Sequence, residues 1–106
     1  AGALTASDVL FMATRGGAQA LRLDDVGSIH PGARADLVII DGERLALGGE
    51  PATRIVFGGG SRAVRDVIVN GEALVRDGRP TRYDPAEVLA HATEQRTALS
   101  ARAALT

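Results

Sequence analysis

The chain has 106 residues, of which 45% are hydrophobic, and it carries 12 arginines and no lysine against 13 acidic residues. This length is sufficient for one modest domain but too short for a catalytic (β/α)8 barrel with its loops. Its scattered charges, net charge of -1 and three aromatic residues show no footprint for nucleic acid or an anionic membrane, so we expect neither as a partner. No apolar run approaches the roughly 20 residues that cross a bilayer, and the absence of cysteine excludes disulfides and fits a cytoplasmic chain.

The first residues predict a helix, and they resemble a position inside a longer polypeptide rather than a natural start. The sequence begins with Ala1 instead of an initiator Met, and it lacks the positively charged segment with which a secretory signal peptide begins. Residues 5–8, Thr-Ala-Ser-Asp, match the capping box, so a helix should follow, with Ser7 also placed to cap it. Gly16 and Gly17 each cost about 1 kcal/mol in a helix interior. They predict a break, followed by a second short helical piece over 18–21.

Residues 27–41 predict a turn followed by a strand. Pro31 fixes its own φ and Gly32 accepts a positive φ, which is typical of a tight turn. Residues 37–40, Leu-Val-Ile-Ile, form a mostly β-branched run that is too short for a stable helix. We expect both faces of this strand to be covered, so it needs neighbours that the rest of the chain must supply.

The middle of the chain predicts a loop, a short strand and a hairpin. Residues 42–53 are polar and glycine-rich and indicate an exposed loop, and residues 54–57 indicate a short strand. Asn70-Gly71 between two apolar runs is the strongest local hairpin signal, because both residues tolerate the positive φ of a type I′ turn. We expect antiparallel strands over about 64–69 and 72–76.

The last part of the chain predicts a helix after the hairpin ends at residues 77–80. Asp84 is placed as the N-cap, with Pro85 at the first helical position and Glu87 at the third. Apolar residues at near-helical spacing extend this helix to about residue 104, with a shallow face suited to lying on a surface. The predicted fold class is α+β, a small antiparallel β-sheet flanked by an N-terminal helical segment and a C-terminal helix.

No residue in this pattern forms a convincing active site. His30 and His91 are 61 residues apart, and neither has a second ligand at metal-binding spacing beside it. Asp36 and Asp41 point to opposite faces of one strand, which argues against an acid–base dyad, and Asp24 and Asp25 are typical turn residues.

Glycine and serine motifs give no site either. Gly58-Gly59-Gly60-Ser61 is followed by a strand pattern rather than a helix, so a flexible connection is favoured over a phosphate loop. The four serines, Ser7, Ser28, Ser61 and Ser100, occur without the Gly-x-Ser-x-Gly elbow of a serine nucleophile.

Three segments in order nevertheless resemble the C-terminal end of metal-dependent amidohydrolases, nearest to the cytosine deaminase, guanine deaminase and chlorohydrolase branch. They are residues 12–21 (Met-Ala-Thr-Arg-Gly-Gly-Ala-Gln-Ala-Leu), residues 27–38 (Gly-Ser-Ile-His-Pro-Gly-Ala-Arg-Ala-Asp-Leu-Val) and residues 67–71 (Val-Ile-Val-Asn-Gly). His30 stands where the family often carries an acidic residue, a change on a surface turn.

The resemblance implies a composite domain and no site residues. Residues 1–26 would be the last helical segment of a (β/α)8 barrel, residues 27–83 a share of a β-sandwich completed by strands from the N-terminus of the same polypeptide, and residues 84–106 the terminal helix. The family's metal ligands, a His-x-His pair, two further histidines and an aspartate, match no residue here. We therefore expect no catalytic, cofactor-binding or metal-binding residue in this chain, and a divalent metal, Zn or Fe, in the full-length parent.

Three hypotheses follow for what the chain does. The first is the C-terminal part of an amidohydrolase, deaminase-like and acting on C–N bonds other than peptide bonds, that is non-catalytic on its own. The second is a stand-alone interaction module that forms oligomers by pairing its open strand edges with another copy. The third is one subunit of a split amidohydrolase.

Overall fold

The computed structural model describes residues 2–46 and 48–105, and Ala1, Leu47 and Thr106 lie outside the described residues. A helical layer comes first, a four-stranded antiparallel sheet follows, and a long helix ends the chain, which confirms the predicted fold class. Within the described residues, no helix combines the length and the hydropathy of a membrane span. The elements are α1 (Ala6–Phe11), a π turn (Met12–Gly16), α2 (Gly17–Ala20), β1 (Leu37–Ile40), a 3-10 turn (Gly42–Arg44), α3 (Pro51–Gly58), a second 3-10 turn (Gly60–Ala63), β2 (Val64–Val69), β3 (Glu72–Arg76), β4 (Arg79–Pro80) and α4 (Pro85–Ala104).

The first helix begins at its predicted capping box. The Thr5 hydroxyl accepts from Asp8 N at 3.1 Å, and the Asp8 carboxylate accepts from Thr5 N at 2.8 Å. Thr5 is therefore the N-cap, and the assignment of a cap to Ser7 was wrong because Ser7 already lies inside α1. These reciprocal bonds satisfy two of the backbone donors that a helix start leaves open.

The predicted helix break at Gly16-Gly17 was wrong. The backbone stays helical through both glycines and widens into a π turn over Met12–Gly16. A Cβ at Gly16 would lie only 3.2 Å from the carbonyl oxygen of Phe11, five residues earlier. Glycine therefore fits the crowded wide turn, and its entropic cost does not forbid the right-handed helical conformation.

Helix α2 ends at Ala20 in a Schellman motif, with Leu21 as its C-cap. Leu23 N donates to Ala18 O at 2.9 Å and Arg22 N donates to Gln19 O at 3.0 Å. Arg22 occupies the left-handed position, with φ of 57°, that glycine usually takes. The chain is thereby turned back toward the sheet.

The sheet has the order β1-β2-β3-β4, and every neighbouring pair is antiparallel. The predicted hairpin over 64–76 is confirmed, with φ of 49° at Asn70 and 80° at Gly71 as a type I′ turn requires. Asp77 and Gly78 have φ of 49° and 76°, so they form a second tight hairpin turn leading into β4. The prediction that the hairpin ends at residues 77–80 missed this strand, which lies over Arg79–Pro80.

The short strand predicted over 54–57 was wrong, because these residues lie in helix α3. The Glu50 carboxylate accepts from Ala52 N at 3.3 Å, and Pro51 occupies the first helical position. Ala52 is buried, and α3 packs against α1. Helix-start signals and tertiary packing outweigh the strand propensity of Ile55 and Val56.

The segments around α3 also differ from prediction. The loop expected over 42–53 contains a 3-10 turn and the first residues of α3, and Leu47 within it lies outside the described residues. The triple glycine is not merely a flexible connection. Gly58 ends α3, Gly59 follows it, and Gly60 begins the 3-10 turn that leads into β2.

The last helix begins as predicted but does not pack on the rest of the described chain. The Asp84 carboxylate accepts from Ala86 N at 2.9 Å, and Pro85 is the first helical residue. Every residue over 81–105 is exposed. The radius of gyration is 19.0 Å, against about 13 Å for a compact domain of this length.

Candidate docking surface

The chain exposes far more surface than a closed domain of its mass. Its accessible surface is 8339 Å², whereas a compact protein of 10.9 kDa exposes roughly 5,600 Å². The excess of roughly 2,700 Å² exceeds the area that one partner contributes to a standard protein interface. Among the described residues only Ala18, Ala52 and Ala63 are buried, so the structure contains elements without a closed core.

The sheet shows where that core is open. β1 pairs only with β2 among the described residues, and Val38 in its middle is 56% exposed. The expectation that both faces of this strand are covered is therefore not met within this chain. The opposite edge, β4, has only two residues, and its Pro80 has no backbone N–H to offer a neighbour. β1 is the edge that remains able to accept a further strand.

An apolar groove of about 650 Å³, here called the helix–sheet groove, lies between the first helices and the sheet edge. Among the described residues that line it, Asp36 is the one that is charged, and its carboxylate already accepts from Asn70 N at 2.7 Å. A groove with this lining favours apolar side chains over a polar substrate. Its lining includes Leu10 and Leu21 from the helices, Val26 from the turn, Ile55 from α3, and Leu37, Ile40 and Val67 from the sheet.

The turn over 27–36 holds the two walls of this groove together. Gly27 approaches the helix so closely that a Cβ there would lie 2.9 Å from the Cβ of Ala18. Arg34 pairs with the Asp25 carboxylate at 2.6 Å, and this hydrogen bond raises the pKa of Arg34. Gly71 N donates to Ala35 O at 3.0 Å, which ties the turn to the hairpin. The motifs at 12–21, 27–38 and 67–71 thus meet in one structural unit.

A second groove of about 620 Å³, the arginine groove, lies near the β3–β4 turn. Val64, Val67 and Val75 contribute apolar lining, whereas Arg44 and Arg62 contribute positive charge. Arg44 is partly neutralised, because its Nε lies 3.2 Å from the Asp41 carboxylate. This groove favours a mixed apolar and anionic occupant.

The histidines considered as metal ligands stay apart. His30 is exposed, with Nδ1 3.0 Å from the carbonyl oxygen of Pro31, and His91 lies on the exposed helix α4, 3.4 Å from the Gln95 amide. Within 2–46 and 48–105, no group of three His, Cys, Asp or Glu side chains is placed to hold a metal ion. The described residues therefore do not fit the metal cage of an amidohydrolase.

The aspartates considered as acids lie at turns and strand ends. Asp25 pairs with Arg34, Asp36 accepts from Asn70, and the Asp41 carboxylate accepts from Glu43 N at 3.0 Å. Asp24 is exposed and lies in the bend that also contains Asp25. No two of these carboxylates share a partner or converge on the helix–sheet groove, where only Asp36 is part of the lining.

Asp66 carries a structural role that the sequence reasoning missed. Its carboxylate accepts from Asp77 N at 2.9 Å and from Arg65 Nε at 3.0 Å. The backbone hydrogen bond from Asp77 is the main reason that the pKa of Asp66 is lowered. The Asp77-Gly78 pair, one of the sequences that favour a type I′ turn, was the signal that pointed to this turn.

The described residues thus combine an open sheet, an apolar groove and an exposed terminal helix. The family model of the amidohydrolase family matches residues 1–74. The chain belongs to the amidohydrolase family, which confirms the resemblance.

Relatives and solved structures agree with this assignment. The chain is 37% identical over 94 residues to a 5-methylthioadenosine/S-adenosylhomocysteine deaminase of Nitratidesulfovibrio vulgaris, covering 87% of this chain and 21% of the relative. It is 43% identical over 90 residues to a formimidoylglutamate deiminase of Pseudomonas aeruginosa, covering 81% and 17%.

Among solved structures, a zinc-bound adenosine deaminase from Xanthomonas campestris superimposes with a TM-score of 0.85 at 31% identity, covering 93% of this chain and 23% of that one. A zinc-complexed atrazine chlorohydrolase from Arthrobacter aurescens gives 0.76 at 34% identity, covering 86% and 20%. The chain thus spans about a fifth of the length of the relatives it matches.

Proposed function

We propose that this chain serves as the non-catalytic C-terminal part of a larger amidohydrolase that hydrolyses a C–N or similar bond of a small heterocycle or amide. The deaminases, the deiminase and the chlorohydrolase to which it is similar support the reaction class. Its own task is structural. It closes a β-sandwich and buttresses the barrel that carries the chemistry.

The single observation that carries this proposal is the uncovered surface. The excess of roughly 2,700 Å² of accessible surface over that of a compact protein is in the range of an obligate interface rather than a transient contact. The remainder of the polypeptide would supply a strand beside Val38 and apolar side chains in the helix–sheet groove.

The metal belongs to that remainder in this proposal. The zinc-bound neighbours favour a divalent metal, Zn or Fe, in the complete enzyme. Since the described residues offer no group of three metal-ligating side chains, they contribute no step of hydrolysis and act by holding the catalytic part in shape. We also propose a cytoplasmic location, on the absence of cysteine.

A two-piece complementation experiment tests the proposal. The chain and the polypeptide encoded in frame upstream of it are produced separately, mixed, and assayed for deamination of adenosine derivatives and for zinc content. We expect neither piece alone to turn over substrate, and the mixture to do so. The chain alone should bind no stoichiometric zinc or iron. Tight metal binding by the chain alone, lost in His30→Ala or His91→Ala, would overturn the proposal.

The open β1 edge favours one alternative, in which a second copy of this chain pairs with the first as an interaction module. Size-exclusion chromatography at several concentrations, with Val38→Arg at the edge and Val88→Arg on α4 as a matched control, separates the two. Association that Val38→Arg abolishes, together with no binding to the upstream polypeptide, supports the module. A catalytic partner encoded as a separate polypeptide would instead make the chain a subunit of a split enzyme.

A further inference from the structure

Helix α4 extends from the sheet as a separate arm. It has 20 residues, and a helix of this size is about 30 Å long. Most helical stability in proteins comes from the packing of an apolar face. Every residue of α4 is exposed, so α4 obtains little of that stability from the described part of the chain.

The segment before α4 limits the directions that this arm can take. Thr81 donates twice to β3, from its N to Leu74 O at 3.0 Å and from its Oγ1 to Ala73 O at 2.7 Å. The Arg82 guanidinium donates to both carboxylate oxygens of Glu72, at 2.6 and 3.2 Å. An exposed ion pair contributes little by itself, but these four bonds together tie the base of α4 to the sheet. A helix that is already oriented loses less entropy when it docks.

One side of α4 is apolar and the other side is charged. Val88, Ala92 and Leu99, here called the α4 stripe, lie on one side, because steps of four and seven residues return to the same side of a helix. Glu87 and Glu94 lie on the other side. The α4 stripe is narrow, which fits a helix that lies on an apolar surface rather than one buried in a core.

A longer protein supports the same placement of this helix. The superposition on the zinc-bound adenosine deaminase covers 93% of this chain. Because α4 makes up 20 of the 106 residues, the superposed part includes most of α4 whichever residues are left out. The matched part is 23% of that protein, so most of that polypeptide lies outside the match.

We propose that the α4 stripe docks on an apolar surface of the amidohydrolase polypeptide that lies outside this chain. This inference rests on the proposed function, because it takes the occupant from the part of the relatives' length that this chain does not span. The excess surface of roughly 2,700 Å² is large enough for one side of α4 to belong to the same interface. A second copy of this chain is the rival occupant.

Two alanines on opposite sides of α4 give a matched test. Ala92 lies in the α4 stripe, and Ala101 follows nine residues later, which is about two and a half helical turns. Arginine at either position adds the same charge to an exposed site in the same helix. The test uses the joined polypeptide, in which this chain is continuous with the polypeptide encoded in frame upstream of it. We expect Ala92→Arg to speed hydrogen exchange of the α4 amides by about tenfold or more, and Ala101→Arg to leave it unchanged.

The outcomes separate this inference from the proposed function. Equal exchange rates in the two variants would overturn the inference and leave the proposed function standing, since β1 and the helix–sheet groove would still bind. Protection of α4 that appears only as size-exclusion chromatography shows dimers would assign the α4 stripe to a second copy and would also overturn it. Failure of the complementation experiment would overturn the proposed function, and the inference with it.

Discussion

A Cβ placed on Gly27 would lie 2.9 Å from the Cβ of Ala18 and 3.0 Å from the carbonyl oxygen of Thr14. Gly27 also has a φ of 91°, a conformation that L side chains rarely adopt. The positive φ and the close contact both require glycine at this position, because the turn can pack against the helix only if residue 27 has no side chain. The contact joins two of the motifs that identify the family.

We expect Gly27→Ala to lower the free energy of unfolding by about 2 to 4 kcal/mol, since backbone strain and overpacking combine. Urea denaturation measures this. Gly32→Ala is the matched control, because Gly32 has a φ of 90° but nothing within 4 Å of a built Cβ. That variant should show only the backbone part, about 1 kcal/mol. Equal losses of unfolding free energy in the two variants would mean that the close approach of Gly27 to Ala18 does not contribute to the effect.

Arg22 offers the opposite kind of change. It holds the left-handed position of the Schellman motif with a φ of 57°, where a non-glycine residue costs about 1 kcal/mol or more. We expect Arg22→Gly to stabilise the chain by about 0.5 kcal/mol, after the entropy that glycine gains in the unfolded state is subtracted. Arg15→Gly, within the helix, should instead destabilise it by about 1 kcal/mol. Thermal melts followed by circular dichroism would show whether the two shifts have opposite signs.

The pH dependence should report the hydrogen bond between Asp77 N and Asp66. Because the pKa of Asp66 is lowered from 3.8 in the folded chain, the unfolded state binds its proton first as the pH falls. The stabilisation is therefore fully present above about pH 4 and is lost as the pH falls through the lower, folded-state pKa. Asp66→Asn should flatten this part of the stability profile, and Asp24→Asn is the carboxylate-to-amide control at an exposed position. A profile that is the same in all three chains would contradict the assigned role.

Local signals predicted the parts of the fold that local chemistry determines. Thr5 and Asp84 cap helices as predicted, and Asn70-Gly71 forms the hairpin turn as predicted. Each of these features depends only on residues within about four positions in the sequence. Ile55 and Val56 were misassigned to a strand because their place in a helix depends on packing against α1, far away in sequence. The second hairpin was missed although Asp77-Gly78 carried the same kind of signal as Asn70-Gly71.

The docking surface was predictable only in outline. The apolar run over 37–40 correctly indicated a strand, but the expected cover on both its faces is absent among the described residues, since Val38 is 56% exposed. The helix–sheet groove was not predictable, since it forms where Leu10, Val26 and Ile40 meet from three separate segments.

Helix α4 allows a last prediction, because its apolar side chains lie in solvent. Leu99 is 58% exposed and Leu89 is 69% exposed. Substituting an exposed residue changes stability by less than about 0.5 kcal/mol, so Leu99→Ser should leave the unfolding of the isolated chain unchanged. Leu37→Ser, in β1 and lining the helix–sheet groove, should cost more than 1 kcal/mol by the loss of apolar burial. If α4 docks on the remainder of the amidohydrolase, Leu99→Ser should become destabilising in the joined polypeptide. An unchanged urea midpoint there as well would mean that α4 stays in solvent in the complete protein.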